Sequence, residues 1–180
     1  MTKTSDTLLY TINSLYRKYR DINPTDVINN FQYVRDAKVF FIENGREHLV
    51  DPSLSYINIL QENSARVKNT FKVEGFEYWD KLIRDRCVGD KDHYIDCHFY
   101  WGKTGKSSFL PHYDDYDVVI LMLKGKKTIC FDDQDIKIVE GEYIHIPARK
   151  LHHAINDTEN MSLSFGIRKF YKDCDATLCN

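Results

Sequence analysis

The spacing of apolar residues changes character partway along the chain. Over residues 5–22, Leu8, Leu9, Ile12, Leu15 and Tyr16 recur at helical spacing among polar positions such as Asn13, Arg17 and Lys18. Asn23-Pro24-Thr25-Asp26 interrupts that pattern and offers caps for a second short helix, with Val27, Ile28 and Phe31 as its apolar face. Lys38-Val39-Phe40-Phe41-Ile42 reads as a strand closed by the turn pair Asn44-Gly45. Residues 62–72 carry charged and amide side chains with few large apolar ones, which predicts a surface loop or short helix. Phe76 to Arg86 returns to helical spacing, with Phe76, Trp79, Leu82 and Ile83 inward and the aromatics read as core.

From about residue 93 the period becomes two. Tyr94 to Trp101 is a predicted strand, ended by a Gly- and Ser-containing loop at 102–108. Val118 to Leu123 is an unbroken apolar run, expected to be a strand buried on both faces. Gly125, Asp132 to Asp135 and Glu140-Gly141 mark turns between Thr128–Phe131, Ile136–Val139 and Tyr143–Pro147. Ala154-Ile155 and Ser162 to Ile167 complete the set. Many short strands with tight turns predict a mainly β barrel or sandwich rather than an α/β sheet. There is no GxGxxG fingerprint, P-loop or internal repeat, so nucleotide-cofactor chemistry has no support.

Composition narrows the class. At 180 residues the chain suffices for one domain, and 42 % hydrophobic with 29 % charged residues is ordinary globular composition. A net charge of −2 gives no reason to expect nucleic acid or an anionic bilayer as partner. No apolar run reaches spanning length, and Met1 to Asp6 lacks a basic-then-apolar leader pattern. The five cysteines, Cys87, Cys97, Cys130, Cys174 and Cys179, form neither a disulfide framework nor a CxxC zinc pattern. The expectation is a cytoplasmic protein with reduced thiols.

One short segment suggests metal chemistry. In Pro111-His112-Tyr113-Asp114, two potential ligands stand two residues apart, so an extended backbone sends both to one face. An HxD occurs often by chance, and a third ligand must come from His98, His145, His152 or His153. Two His and one carboxylate on one face of an ion form the facial triad of non-haem Fe(II) oxygenases.

The segment from Gly141 to Asn156 resembles the second motif of the cupin superfamily, with Gly141, Pro147, His152 and Asn156 in register and Arg149 standing where the motif has an internal Gly. The resemblance implies a double-stranded β-helix, a jelly-roll barrel with N-terminal helices packed against it. It also implies that His152 is the third ligand, with His153 facing the other way. Residues 1–90 are then expected to brace the barrel, 91–172 to form its core and 173–180 to be a tail. The first cupin motif is altered: Asp114 replaces its second His, and Val118 and Val119 stand where its Glu would fall. That departure favours two His and one carboxylate, His112, Asp114 and His152, hence iron.

Pro111 to Phe131 is similar to the JmjC-type 2-oxoglutarate oxygenases, in particular the asparaginyl hydroxylase and ribosomal oxygenase branches. Their HxD precedes a buried strand, a Gly turn and a Lys fifteen residues after the first His, which here is Lys127. The resemblance implies that Lys127 binds the distal carboxylate of 2-oxoglutarate, where the plain alternative is a solvated turn lysine beside Lys124 and Lys126. The family's Thr and Asn partners are replaced by Phe109 and Val118, so Tyr100, His98, Ser108 and Ser164 become candidates for cosubstrate contact. Arg168 resembles the Arg of other 2-oxoglutarate oxygenases, or is an exposed strand-end residue. Asp115 and Asp117 would bind a cationic or amide group or cap a turn, and Tyr113 would pack on the opposite face. The implied protein is an Fe(II)- and 2-oxoglutarate-dependent dioxygenase using O2 on an unidentified protein, peptide or small-molecule substrate. Its competitors are a metal-dependent cupin without 2-oxoglutarate and a small-ligand-binding module.

Overall fold

Alternating side chains and tight turns build the molecule from short antiparallel strands. The computed structural model describes residues 14, 16–31, 38–50, 62–68, 93–106 and 108–169. The expected apolar stripe at Leu8, Leu9, Ile12 and Leu15 and the helix over Phe76–Arg86 lie outside them. Residues 16–19 are helical and lead into α1 (Pro24–Phe31). Asn23 caps α1, its Oδ1 accepting the Thr25 N–H at 3.0 Å, and Pro24 takes the first-turn position that needs no donor. Ile28 is buried, while the side chains of Val27 and Phe31 lie outside the described set.

The hairpin β1 (Lys38–Glu43) and β2 (Arg46–Leu49) turns at Asn44 and Gly45, whose φ of 50° and 75° supply the left-handed pair such a two-residue turn demands. β3 (Ser64–Lys68) corrects the expected surface loop or short helix at 62–72: residues 64–68 are an inner strand between β1 and β4 (His93–Gly102). Small Ala65 and Val67 fill its core face, and the charges of Arg66 and Lys68 line the other, so no run of large apolar residues announces it.

The remaining strands are β5 (Asp117–Lys124), β6 (Lys126–Phe131), β7 (Asp135–Val139), β8 (Tyr143–Ile146), β9 (His152–Asn156) and β10 (Asn160–Lys169). A seven-stranded sheet runs β2-β1-β3-β4-β10-β5-β8 and a three-stranded one β7-β6-β9, the two-sheet arrangement of a jelly roll. β5 is buried on both faces because two cores flank it. Val119, Leu121 and Leu123 join Phe99, Leu163, Phe165, Tyr19 and Ile28 outside the barrel. Val118 and Met122 join Ile129, Ile138, Ile144 and Ile146 between the sheets. Cys97 and Cys130 are both buried. Among the described residues, no helix is long and apolar enough to cross a membrane.

Candidate metal centre

An isolated backbone bridge ties His112, in the segment between β4 and β5, to His152 at the start of β9, and their N–H groups donate to each other's carbonyls at 3.0 and 2.8 Å. That bridge puts both imidazoles on one side, with ring centroids 4.6 Å apart. Asp114 follows two residues later, and ligand atoms of His112, Asp114 and His152 all lie within 4.8 Å of one another. The His152 Nε2 stands 3.8 Å from the Asp114 carboxylate. Each ring also has its other nitrogen tied to backbone: Nδ1 of His112 lies 2.9 Å from the Leu110 carbonyl, and Nδ1 of His152 lies 2.9 Å from that of Lys150. A carbonyl only accepts, so both Nδ1 atoms carry the proton and both Nε2 lone pairs stay available. Burial lowers the His152 pKa, which keeps that ring neutral, as a ligand must be. The donor set, two imidazoles and a carboxylate on one face, fits a divalent first-row metal such as iron.

The turn before His152 explains how the motif survives without its glycine. Arg149 adopts φ 62°, the left-handed geometry the missing Gly would take freely, and its N–H donates to the Asp114 carbonyl at 2.7 Å. The metal-bearing loop is therefore latched to this turn. Asn156, the last residue of the cupin-like motif, is fully buried. Its Nδ2 donates to the Lys106 carbonyl at 2.9 Å, and its Oδ1 accepts from Asn160 at 3.0 Å, which anchors the loop leading to His112.

A cavity of about 570 Å3 runs inward from the triad, of a size common for small-molecule sites. Its sheet wall follows the register: Arg66, Tyr100 and Ser162 form one cross-strand row, His98, Ser164 and Ile120 the next, and Asp96, Gly166 and Val118 a third. Lys127 enters from the other sheet. It sits four residues from Phe131, the cross-strand neighbour of His152, or about 13 Å of strand rise away. Lys127 is 3 % exposed and donates to Ser162 Oγ at 3.0 Å, with its ammonium 5.5 Å from the Tyr100 ring centre. It has no carboxylate partner among the described residues, and burial pulls its pKa down to about 8. Burial pushes the Tyr100 hydroxyl up to about 12 and lowers His98 to about 4, so the one stays protonated and the other neutral.

The structure thus brings His112, Asp114, His152, Lys127, Tyr100 and Ser164 to one cavity, with Ser108 also on its wall. Other candidates serve elsewhere. His98 lines the cavity beside Asp96, outside the triad. His145 pairs with Asp117 at 2.9 Å, and Asp117 accepts the Ala148 N–H at 2.9 Å, which makes it a turn cap. Asp115 pairs with Arg149 at 3.4 Å. Arg168 is half exposed at the mouth and pairs with Asp96 at 3.2 Å while lying over the Tyr116 ring. Tyr113 does leave the ligand face, but it is 63 % exposed instead of packed, because the bridge segment lies at the rim. Sequence reasoning missed Arg66, Asp96 and Ser162. The shared parity of Ser162 with Ser164 and of Asp96 with His98 and Tyr100 was the signal available for two of them.

Comparison with known proteins agrees with this picture. A cupin-domain family model matches residues 103–165, and a JmjC-domain family model matches residues 72–133. A search of curated proteins gave no match. Among solved structures, the ribosomal oxygenase YcfD of Escherichia coli is 20 % identical over 84 % of this chain and 45 % of its own, with a TM-score of 0.63. The same protein in complex with cobalt and 2-oxoglutarate matches with a TM-score of 0.64 and 20 % identity, over 84 % of this chain and 45 % of that one. A cupin superfamily protein of Desulfitobacterium hafniense is 25 % identical over 41 % of this chain and 66 % of its own, with a TM-score of 0.39. The chain spans less than half the length of the ribosomal oxygenase, and at that identity the likeness is one of fold. The chain is thus similar to cupin domains over residues 103–165 and to JmjC domains over residues 72–133, and it shares its fold with the ribosomal oxygenase.

Proposed function

We propose that the protein is an Fe(II)- and 2-oxoglutarate-dependent dioxygenase that hydroxylates a C–H bond of a protein side chain, an amino acid or a small metabolite. Lys127 is the observation that carries this reading. A buried ammonium without a carboxylate partner among the described residues is costly, and it needs a reason. A dicarboxylate reaching down the cavity from the triad supplies one: its distal carboxylate meets Lys127, and its 2-oxo acid end reaches the metal. A metal-dependent cupin that dispenses with 2-oxoglutarate gives Lys127 no task.

The residues divide the work. His112 and His152 through Nε2, and Asp114 through its carboxylate, would hold the ion. Fe(II) bound there supplies the redox chemistry that couples decarboxylation of 2-oxoglutarate by O2 to oxidation of a substrate C–H. Lys127 and Ser162, already 3.0 Å apart, form a cationic and a hydroxyl donor for the distal carboxylate. Tyr100, held protonated, adds a third donor on the same row, and Ser164 stands one row nearer the mouth. Apolar side chains of Val118, Ile120, Ala154 and Phe109 on the cavity wall limit water around the reacting centre. The complexes of the Escherichia coli ribosomal oxygenase with cobalt and 2-oxoglutarate, and with cobalt and succinic acid, belong to that protein and support the same assignment here.

Such enzymes are testable before a substrate is known. Purified protein with Fe(II), O2 and 2-oxoglutarate should form succinate slowly and uncoupled from substrate. Asp114→Ala should fall to background. Lys127→Met should lose about tenfold or more in kcat/KM, the worth of one charge-assisted hydrogen bond. Equal succinate formation by wild type and Asp114→Ala would refute the assignment.

A further inference from the structure

With the triad given to the metal and Lys127 to the cosubstrate, the remaining charges that the described residues place in the cavity do not cancel. At one end Asp96 pairs with Arg168 at 3.2 Å, a neutral pair. At the other, a single carboxylate serves two cations: Glu47 lies 2.6 Å from Arg66 Nε and 3.0 Å from Lys68 Nζ. Arg66 and Lys68 line the cavity, whereas Glu47 does not. The cluster carries one net positive charge, and its cations form the cavity face.

Its construction makes the surplus firm. Arg66 and Lys68 are two residues apart on β3 and leave the same face. Glu47 reaches them from the β1–β2 hairpin and is itself poorly hydrated, since burial raises its pKa even beside two cations. The Lys68 ammonium lies 4.4 Å from the Phe40 ring centre. The Arg66 guanidinium lies 5.4 Å from the centre of the Phe109 ring, and its Nη1 donates to the Tyr100 hydroxyl at 3.4 Å. Phe109 in turn stands 5.7 Å from the His112 ring, centre to centre. One aromatic ring therefore separates the cationic edge from the metal centre, a span that a molecule of amino-acid size covers.

We infer that Arg66 and Lys68 form the substrate's carboxylate site: the primary substrate is a small acid whose carboxylate docks on this edge, beside the row of Tyr100 and Ser162 that faces the cosubstrate. The inference rests on the oxygenase reading above and names the substrate class for it. A cation presented by a partly buried arginine and lysine is matched best by a carboxylate, through the planar fork of the guanidinium and the point charge of the ammonium. A neutral substrate would leave the surplus charge unanswered, and a cationic one would be repelled by it.

The probe is a set of matched acid–amide pairs of amino-acid size, such as benzoate with benzamide and N-acetyl amino acids with their amides. Binding is read by ligand-observed NMR on protein loaded with Zn(II), as a diamagnetic stand-in, and 2-oxoglutarate without oxygen. Acids should bind and their amides should bind at least tenfold more weakly. Lys68→Met should weaken acid binding at least fivefold, and Lys68→Arg should restore it. The Fe(II)–2-oxoglutarate absorption band, recorded separately, reports the cosubstrate site, so its loss would count against the oxygenase reading and its retention isolates the substrate claim. With the band present, amides binding as well as acids, acid binding indifferent to Lys68→Met, or no acid binding at all would each overturn the inference.

Discussion

Lys127→Met should make the metal-free protein more stable at neutral pH while weakening its hold on 2-oxoglutarate by about tenfold or more. Lys127 has a folded-state pKa of about 8, lowered by burial from the ordinary 10.5. Below pH 8 both folded and unfolded chains carry the proton, and the folded state bears the full cost of burying the charge. Between pH 8 and 10.5 the folded chain has released the proton and the unfolded chain has not, so stability rises with pH through that window. The shift corresponds to about 3 kcal/mol. Methionine nearly matches the side chain in volume without the charge, and the Ser162 hydroxyl that loses its donor returns about 1 kcal/mol of cost. The net gain, about 2 kcal/mol, should raise the midpoint by about 4–8 °C for a chain of this length. The assay is thermal unfolding without metal or cosubstrate at pH 7 and again at pH 10. Wild type should close most of the gap to the variant at the higher pH. A variant less stable than wild type at pH 7, or a gap indifferent to pH, would mean that Lys127 is satisfied inside the protein and awaits no anion.

Three further outcomes follow from the same geometry. Affinity for 2-oxoglutarate should fall by up to tenfold per pH unit above about pH 8 as Lys127 loses its proton, read by titration in the absence of oxygen. Arg149→Gly should stabilise the protein by up to about 1 kcal/mol in urea unfolding, because Arg149 holds φ 62° in a region where side chains are strained. Gly166→Ala should destabilise by about 1–3 kcal/mol and impair metal-dependent turnover, because an added Cβ would meet the Asp96 carboxylate and, at 2.8 Å, the Tyr116 ring.

How much of this was legible in the sequence depended on how local each signal is. His112 and Asp114 share a face by spacing alone. The turn ending in His152 is a contiguous motif, and Lys127 follows His112 at a fixed interval across one strand and one turn. These residues do meet in one cavity. What stayed hidden is the polar wall. A barrel that encloses a charged cavity inverts the usual pattern: Asp96, His98 and Tyr100 face inward on β4 while Cys97 and Phe99 face an apolar layer outside. Polarity then says nothing about which face is solvent, and Arg66 and Lys68 read as surface residues although their strand lies inside a sheet. The Glu47–Arg66 contact joins β2 to β3 across β1, a neighbourhood that only the folded sheet defines. The strain at Arg149 is a further case, for the sequence marked a missing glycine and the backbone shows that the turn kept its shape.

The central claim is that His112, Asp114 and His152 hold iron and that Lys127 completes a site for 2-oxoglutarate on it. The most direct measurement is the visible absorption of the protein as Fe(II) and then 2-oxoglutarate are added in the absence of oxygen. Wild type should show a metal-to-ligand charge-transfer band, His112→Ala none, and Lys127→Met one that needs at least tenfold more 2-oxoglutarate. Bound iron that gives no band with 2-oxoglutarate, or a band that forms equally well in Lys127→Met, would contradict that claim.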